Sequence, residues 1–168
     1  MQIRAKELSG LELFRMALEV SRTKDRGKVL INDRLDVALA CGADGVHLPA
    51  NRLPASANRV LAPPGFMISV ACHSPEDVQR AAGEGADLAL LAPIFSTPGK
   101  GPPLGLDALS LAARAGIPVL ALGGVTLENA ESCYAAGAAG IAAIRLFEDA
   151  DDLATLIARG KSRRAHYP

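Results

Sequence analysis

The sequence predicts a parallel (β/α)8 barrel of TIM type, short of one strand and one helix at its N-terminal end, and three observations predict it. Apolar β-type runs recur along the chain, each introduced by a glycine a residue or two earlier. Capped segments with helical spacing lie between them. The runs are continuously apolar rather than alternating, as expected of a sheet covered by helices on one side and packed by its own interior on the other. Repetition of βα units builds a parallel sheet, and in a barrel its chemistry gathers at the C-terminal ends of the strands.

Taken in order, "MQIRA" reads as a strand running into a charged loop, and Ser9 caps a helix carried by Leu11, Phe14 and Leu18. Strands follow in "GKVLIND", "GADGVHLP" and "GFMISVACH". Ser74 then starts a helix with Val78, Ala81 and Ala82, and Asp77 three residues on comes close to a capping box. "GADLALLAPIF" and "GIPVLALGG" are the next strands; Thr126 caps a helix bearing Ala130, Cys133 and Tyr134, and "GAAGIAAIRLF" closes the series. The glycines suit the left-handed conformation that ends a helix. That makes seven strands and about seven helices. The domain spans 1–159, and 160–168 ("GKSRRAHYP") is a solvated tail. A doubly wound open sheet is the alternative. It is disfavoured because polar residues gather after nearly every strand instead of at one crevice.

At 168 residues and 49% apolar content the chain can bury one substantial core. Eighteen basic and eighteen acidic residues sum to a net charge of zero, which removes the positive field that sequence-independent nucleic-acid binding needs. No apolar run approaches membrane-span length and no signal-peptide core follows Met1, so a cytoplasmic protein is expected. Cys41, Cys72 and Cys133 lack metal-ligand spacing and read as buried small hydrophobes.

The groups just past each strand converge on one mouth. They are Gln2, Arg4 and Lys6; Asn32, Asp33 and Arg34; His47, Asn51 and Arg52; Cys72 and His73; Ser96, Thr97 and Lys100; Gly123, Gly124 and Thr126; and Arg145. Such a set is rich in cations and amides and poor in carboxylates, which suits phosphate. In "ALGGVT" a strand ends in two glycines and opens a helix, so backbone N–H groups can approach an oxyanion in the next-to-last βα loop, where barrels commonly hold phosphate. "FSTPGKGPPLG" is a long loop of the kind that clamps ligands. Asp33 could hold a magnesium ion, pair with Arg34 or cap the next helix. His73 could serve as an acid or base or bond the adjoining helix, and His47 reads as an internally hydrogen-bonded core residue.

The ordered series "QIRAK", "LINDR", "GADGVHL", "APIFSTPGK", "PPLGLDAL", "IPVLALGGVT" and "AAGAAGIAAIRLF", over residues 2 to about 147, resembles the thiamine-phosphate synthase and TenI superfamily, and most of all its divergent TenI-like branch. The resemblance implies a (β/α)8 barrel that joins hydroxymethylpyrimidine diphosphate to thiazole phosphate and releases pyrophosphate with Mg²⁺. It implies Gln2, Arg4, Lys6, Asn32 and Lys100 for the diphosphate, Asp33 for the metal, and Thr97, Gly123, Gly124, Ile144 and Arg145 for the thiazole phosphate. Among these, Lys100 and Asn32, with His73, are the candidate catalytic residues.

The chain departs from the pattern in four places. Arg52 stands where the second magnesium carboxylate is expected; a cation there repels Mg²⁺, while its guanidinium can neutralise part of a diphosphate. Ala71 replaces a serine, Ala5 a glutamate, and Pro93 the histidine of TenI-type tautomerases. A thiazole tautomerase using His73 and a non-catalytic binder of a phosphorylated thiazole-type ligand are therefore the alternatives. With the first βα unit absent, two unpaired edges are expected, and with them a homo-oligomer.

Overall fold

The computed structural model describes residues 1–25, 27–144 and 146. Its strands are β1 Gln2–Ile3, β2 Leu30–Asn32, β3 Gly45–Leu48, β4 Met67–Cys72, β5 Leu88–Leu91, β6 Val119–Leu122 and β7 Gly140–Ala142. Between them run α1 Gly10–Thr23, α2 Leu35–Ala40, α3 Ala55–Arg59, α4 Pro75–Gly83, α5 Gly105–Ala112 and α6 Leu127–Ala135. All neighbouring strands are parallel and the sheet runs β1 to β7 in chain order. This is the winding of a TIM-type barrel, curled but open. A doubly wound sheet would reverse its strand order at a switch point, and among the described residues no reversal occurs. Among the described residues β1 and β7 are the sheet's edges.

The expected caps form, with one shift. Ser9 and Glu12 close a reciprocal capping box on α1, and Thr126 and Asn129 close another on α6. Ser74 accepts from the Asp77 amide, but the Asp77 carboxylate reaches one residue further back, to the His73 amide.

Register sorts the strand residues onto two faces. Ile31, Val46 and Ile68 are cross-strand partners, as are Ala89 with Val119 and Leu91 with Ala121, and all are fully buried on the helix-covered side. The other face is concave. In its first half Leu30, His47 and Ser69 are buried, whereas Leu88, Leu90, Leu120 and Leu122 in the second half remain partly exposed. Cys41, Cys72 and Cys133 are free and buried, as small hydrophobes would be.

Two "GAD" turns lock the N-terminal end of the sheet. Asp44 accepts from the Val29 amide at 2.7 Å and Asp87 from the Ile68 amide at 2.7 Å, so each carboxylate holds the start of a neighbouring strand. Lys24 pairs with Asp44 and Arg59 with Asp87, and Arg59 also donates to the carbonyls of Phe66 and Gly85. No helix among the described residues is long and apolar enough to cross a membrane.

Candidate functional site

The opposite, C-terminal end of the sheet carries the groups singled out in the sequence. Gln2 and Asn32 project from adjacent strands on the concave side, and the Gln2 amide donates to Asn32 Oδ1 at 2.9 Å. One step deeper, His47 and Ser69 are register partners whose side chains meet at 3.0 Å between Nδ1 and Oγ. Burial, reinforced by the positive charge of Arg4, lowers the His47 pKa to about 4. His47 is therefore neutral near pH 7, buried against Ser69.

A second cluster lies across the mouth. The strand extension after β5 follows that after β6, with the Phe95 amide donating to the Gly123 carbonyl at 3.0 Å. Gly123 and Gly124 have φ of 93° and 63°. A Cβ on Gly123 would lie 2.9 Å from Pro93 Cα and 3.2 Å from Thr97 Oγ1, and one on Gly124 would lie 2.7 Å from the Ser96 carbonyl oxygen. Both the backbone conformation and the close approach thus exclude side chains here, and the Thr97 hydroxyl stands beside the glycine turn. Asn129 binds the Thr126 amide and the Gly124 carbonyl, which pins this turn to the start of α6. The amides of Gly124 and Val125 donate to no group among the described residues, and they face the end of a nine-residue helix where anions are favoured.

The remaining candidates sit on the same rim without joining either cluster. Arg4, Lys6 and Lys100 are exposed, and none forms an ion pair among the described residues. The Lys100 amide donates to the Thr97 carbonyl at 3.1 Å, so its loop turns back on the hydroxyl. Ile144 is exposed just past β7, and Arg145 lies outside the described residues. His73 is exposed; its Nδ1 bonds the Ala92 carbonyl at 2.9 Å and its amide bonds Asp77, so it ties the ends of β4 and β5 to α4. The neighbouring Cys72 thiol is pushed up to about 12, by burial first and then by the charge of Asp77, and stays protonated.

Asp33 departs from both local pairings that the sequence left open. Arg34 turns to Asp36, with Nε and a terminal nitrogen at 2.9 and 2.6 Å from its two oxygens. The side-chain partner of Asp33 is Arg52 from the loop after β3, with Nε 2.8 Å from Oδ2. Only the alignment of two consecutive strand ends brings these residues together, a signal that local sequence does not hold.

The Mg²⁺ implied by the resemblance can be tested against this donor set. Magnesium is held by hard oxygens in octahedral order, commonly one or two carboxylates with waters and substrate phosphates, so the carboxylate that anchors it has to be free of a neighbouring cation. Here one carboxylate is available, it already faces a guanidinium, and no group of three His, Cys, Asp or Glu side chains among the described residues could hold a metal. These residues do not fit a protein-held magnesium ion.

Comparison with known proteins places the geometry in context. A family model described as thiamine monophosphate synthase matches residues 1–147. A thiamine-phosphate synthase of Methanoculleus marisnigri is 46% identical over 149 residues, 85% of this chain and 71% of its own length. A protein of Aquifex aeolicus described as putative thiamine-phosphate synthase 2 is 42% identical over 151 residues, 87% of this chain and 81% of its own. A solved structure, the thiamine phosphate pyrophosphorylase from Pyrococcus furiosus, superposes with a TM-score of 0.80 at 29% identity, covering 96% of this chain and 80% of that one.

Proposed function

The chain belongs to the thiamine monophosphate synthase family, and from that premise we propose that it is a thiamine-phosphate synthase, coupling hydroxymethylpyrimidine diphosphate to thiazole phosphate with release of pyrophosphate. One observation carries the reading. The concave mouth joins a cationic and amide rim, with Arg4, Lys6, Lys100 and the Gln2–Asn32 pair, to a glycine turn flanked by a hydroxyl. Two anions can thus be received at the same end of the sheet.

In this reading the thiazole phosphate lies against the Gly124 amide and the Thr97 hydroxyl, with Gly123 and Ile144 completing that side. The diphosphate lies against Gln2, Arg4, Lys6, Asn32, Arg52 and Lys100. The reaction is a displacement at the methylene carbon of the pyrimidine. The carbon–oxygen bond breaks and its electron pair leaves with pyrophosphate; the lone pair of the thiazole nitrogen forms the new carbon–nitrogen bond. Charge builds on the departing oxygens, so the cations of the rim stabilise the transition state more than the ground state. No side-chain nucleophile takes part, consistent with a protonated Cys72 and a neutral, buried His47. Phosphate binding, a cytoplasmic location and a homo-oligomer formed through the sheet edges belong to the same proposal.

The test is direct. Full-length protein incubated with both substrates should release pyrophosphate and form the coupled product, and Lys100→Ala should lower kcat/KM by about tenfold or more, the scale of one charge-assisted contact. Thiazole phosphate that raises Tm with no pyrophosphate released would overturn the synthase reading in favour of a binder.

A further inference from the structure

We propose that this chain receives its diphosphate group without a protein-held divalent cation, the Arg52 guanidinium standing in for the metal and Asp33 serving as the counter-ion that Arg52 leaves when the anion arrives. The proposal rests on the reading above that a diphosphate enters this mouth, and it names what holds that group.

Backbone geometry is the first support. Asp33 is the one non-glycine residue with positive φ among the described residues, at 62°, and its amide donates to the His47 carbonyl at 2.8 Å. Aspartate tolerates this left-handed conformation better than most residues, but it is sparsely populated and persists where surroundings enforce it. Its carboxylate is therefore aimed by the end of β2 and by β3 before any ligand is present.

The second support is the identity of the partner. Arg34, the neighbour in sequence, is engaged by Asp36 through both oxygens, so the charge opposite Asp33 comes from Arg52. A guanidinium stays protonated at any working pH, so nothing short of displacement uncovers the carboxylate. A divalent cation seated on Asp33 would sit within a few ångströms of that positive charge, and among the described residues no group of three His, Cys, Asp or Glu side chains could hold it there.

Energetics then favours exchange of partner. The Arg52 side chain is 56% exposed, and its closest approach to Asp33 is Nε to Oδ2 at 2.8 Å. Exposed pairs of this kind contribute little stability. A diphosphate offers several charged oxygens in the spacing that a guanidinium fork matches, and such charge-assisted bonds are about twice as strong as neutral ones. The pair borders an open recess of about 250 Å³ with Leu48, Leu53 and Asn58, so the guanidinium has room to turn. Asp33 is on this view a positioning residue that holds Arg52 in wait.

The experiment uses the full chain, inorganic pyrophosphate and Mn²⁺ as probes, and calorimetry with electron paramagnetic resonance as readouts. Wild-type protein in EDTA should bind pyrophosphate, with affinity changed less than about threefold by Mg²⁺, and should not bind Mn²⁺ alone. Arg52→Gln should weaken metal-free binding by about tenfold or more. Asp33→Asn, which keeps the left-handed backbone accessible, should strengthen it by releasing Arg52. Arg52→Asp should create Mn²⁺ binding and make pyrophosphate binding depend on it. Circular dichroism of each variant reports folding, and the Asp33→Asn gain keeps the proposal testable if an Arg52 variant fails to fold. Pyrophosphate binding that requires Mg²⁺ in the wild type, or Mn²⁺ bound by wild type and lost in Asp33→Asn, would overturn the inference and leave the synthase reading standing. Metal-free binding that depends on Arg52 without any coupling reaction would do the reverse. No pyrophosphate binding under either condition would overturn both.

Discussion

At the N-terminal end of the sheet, Asp44 and Asp87 each hold a strand amide and a cation, whereas at the C-terminal end Arg4, Lys6 and Lys100 pair with nothing among the described residues. Both ends carry acidic and basic residues, but at the mouth, beside the Asp33–Arg52 and Asp36–Arg34 pairs, Arg4, Lys6 and Lys100 are left over without a carboxylate among the described residues. Saturated charges at the base tie one strand to the next and serve stability. Unsaturated charges at the mouth add repulsion in the empty protein, which an arriving anion relieves. If the mouth receives anions as proposed, the two ends divide folding from binding, and mutations should divide the same way.

The sharpest way to break that division is Gly45→Ala, near the base. A Cβ there would lie 2.2 Å from the Met67 carbonyl oxygen, a backbone atom of the paired strand. The expected loss is about 3 kcal/mol or more, seen as a collapse of Tm or failure to recover folded protein. A variant with near wild-type urea unfolding would mean that the base is looser than its contacts imply.

Acid should act between the two ends, on the buried His47–Ser69 layer. Above pH 6.5, the ordinary value, His47 is neutral whether folded or unfolded. Below it the unfolded chain takes up a proton that the folded one refuses until about pH 4, so stability falls as pH drops through this window. The full effect is on the order of 3 kcal/mol. His47→Gln should flatten that stretch of the stability profile, and an unchanged slope would argue against a neutral buried imidazole.

A matched pair supplies the smallest effects and the cleanest contrast. Asp44→Ala strips a partner from the Val29 amide and should cost about 2 kcal/mol in urea unfolding. Lys100→Ala should stay within about 0.5 kcal/mol of wild type while weakening pyrophosphate binding in calorimetry. If Lys100→Ala destabilised as much as Asp44→Ala, the division of labour between the ends would fail.

The fold was legible because it is written in local signals. All seven strands lie within the apolar runs that suggested them, and Ser9, Ser74 and Thr126 begin the helices they were expected to cap. Apolar continuity and caps depend on neighbours within a few residues, which a sequence displays directly. His47 and the three cysteines were legible for the same reason. The site was legible as an inventory of groups past strand ends, but its pairings were not. Arg52 reaches Asp33 across a loop, and the Gln2–Asn32 contact spans two strands. The Asp44 and Asp87 locks were also missed, although the repeated "GAD" preceding two strands was the available clue. Such contacts depend on which strand ends become neighbours, and that information exists only once the sheet has formed.

Strand order that follows chain order also bears on how the molecule is made. Among the described residues every pairing joins a strand to the one before it, so each strand from β2 to β7 finds its docking edge already made when it is synthesised. Assembly can then advance like a zipper from β1 to β7 along the nascent polypeptide, and the growing edge is the position at which interruption of synthesis would leave the chain most open to wrong partners.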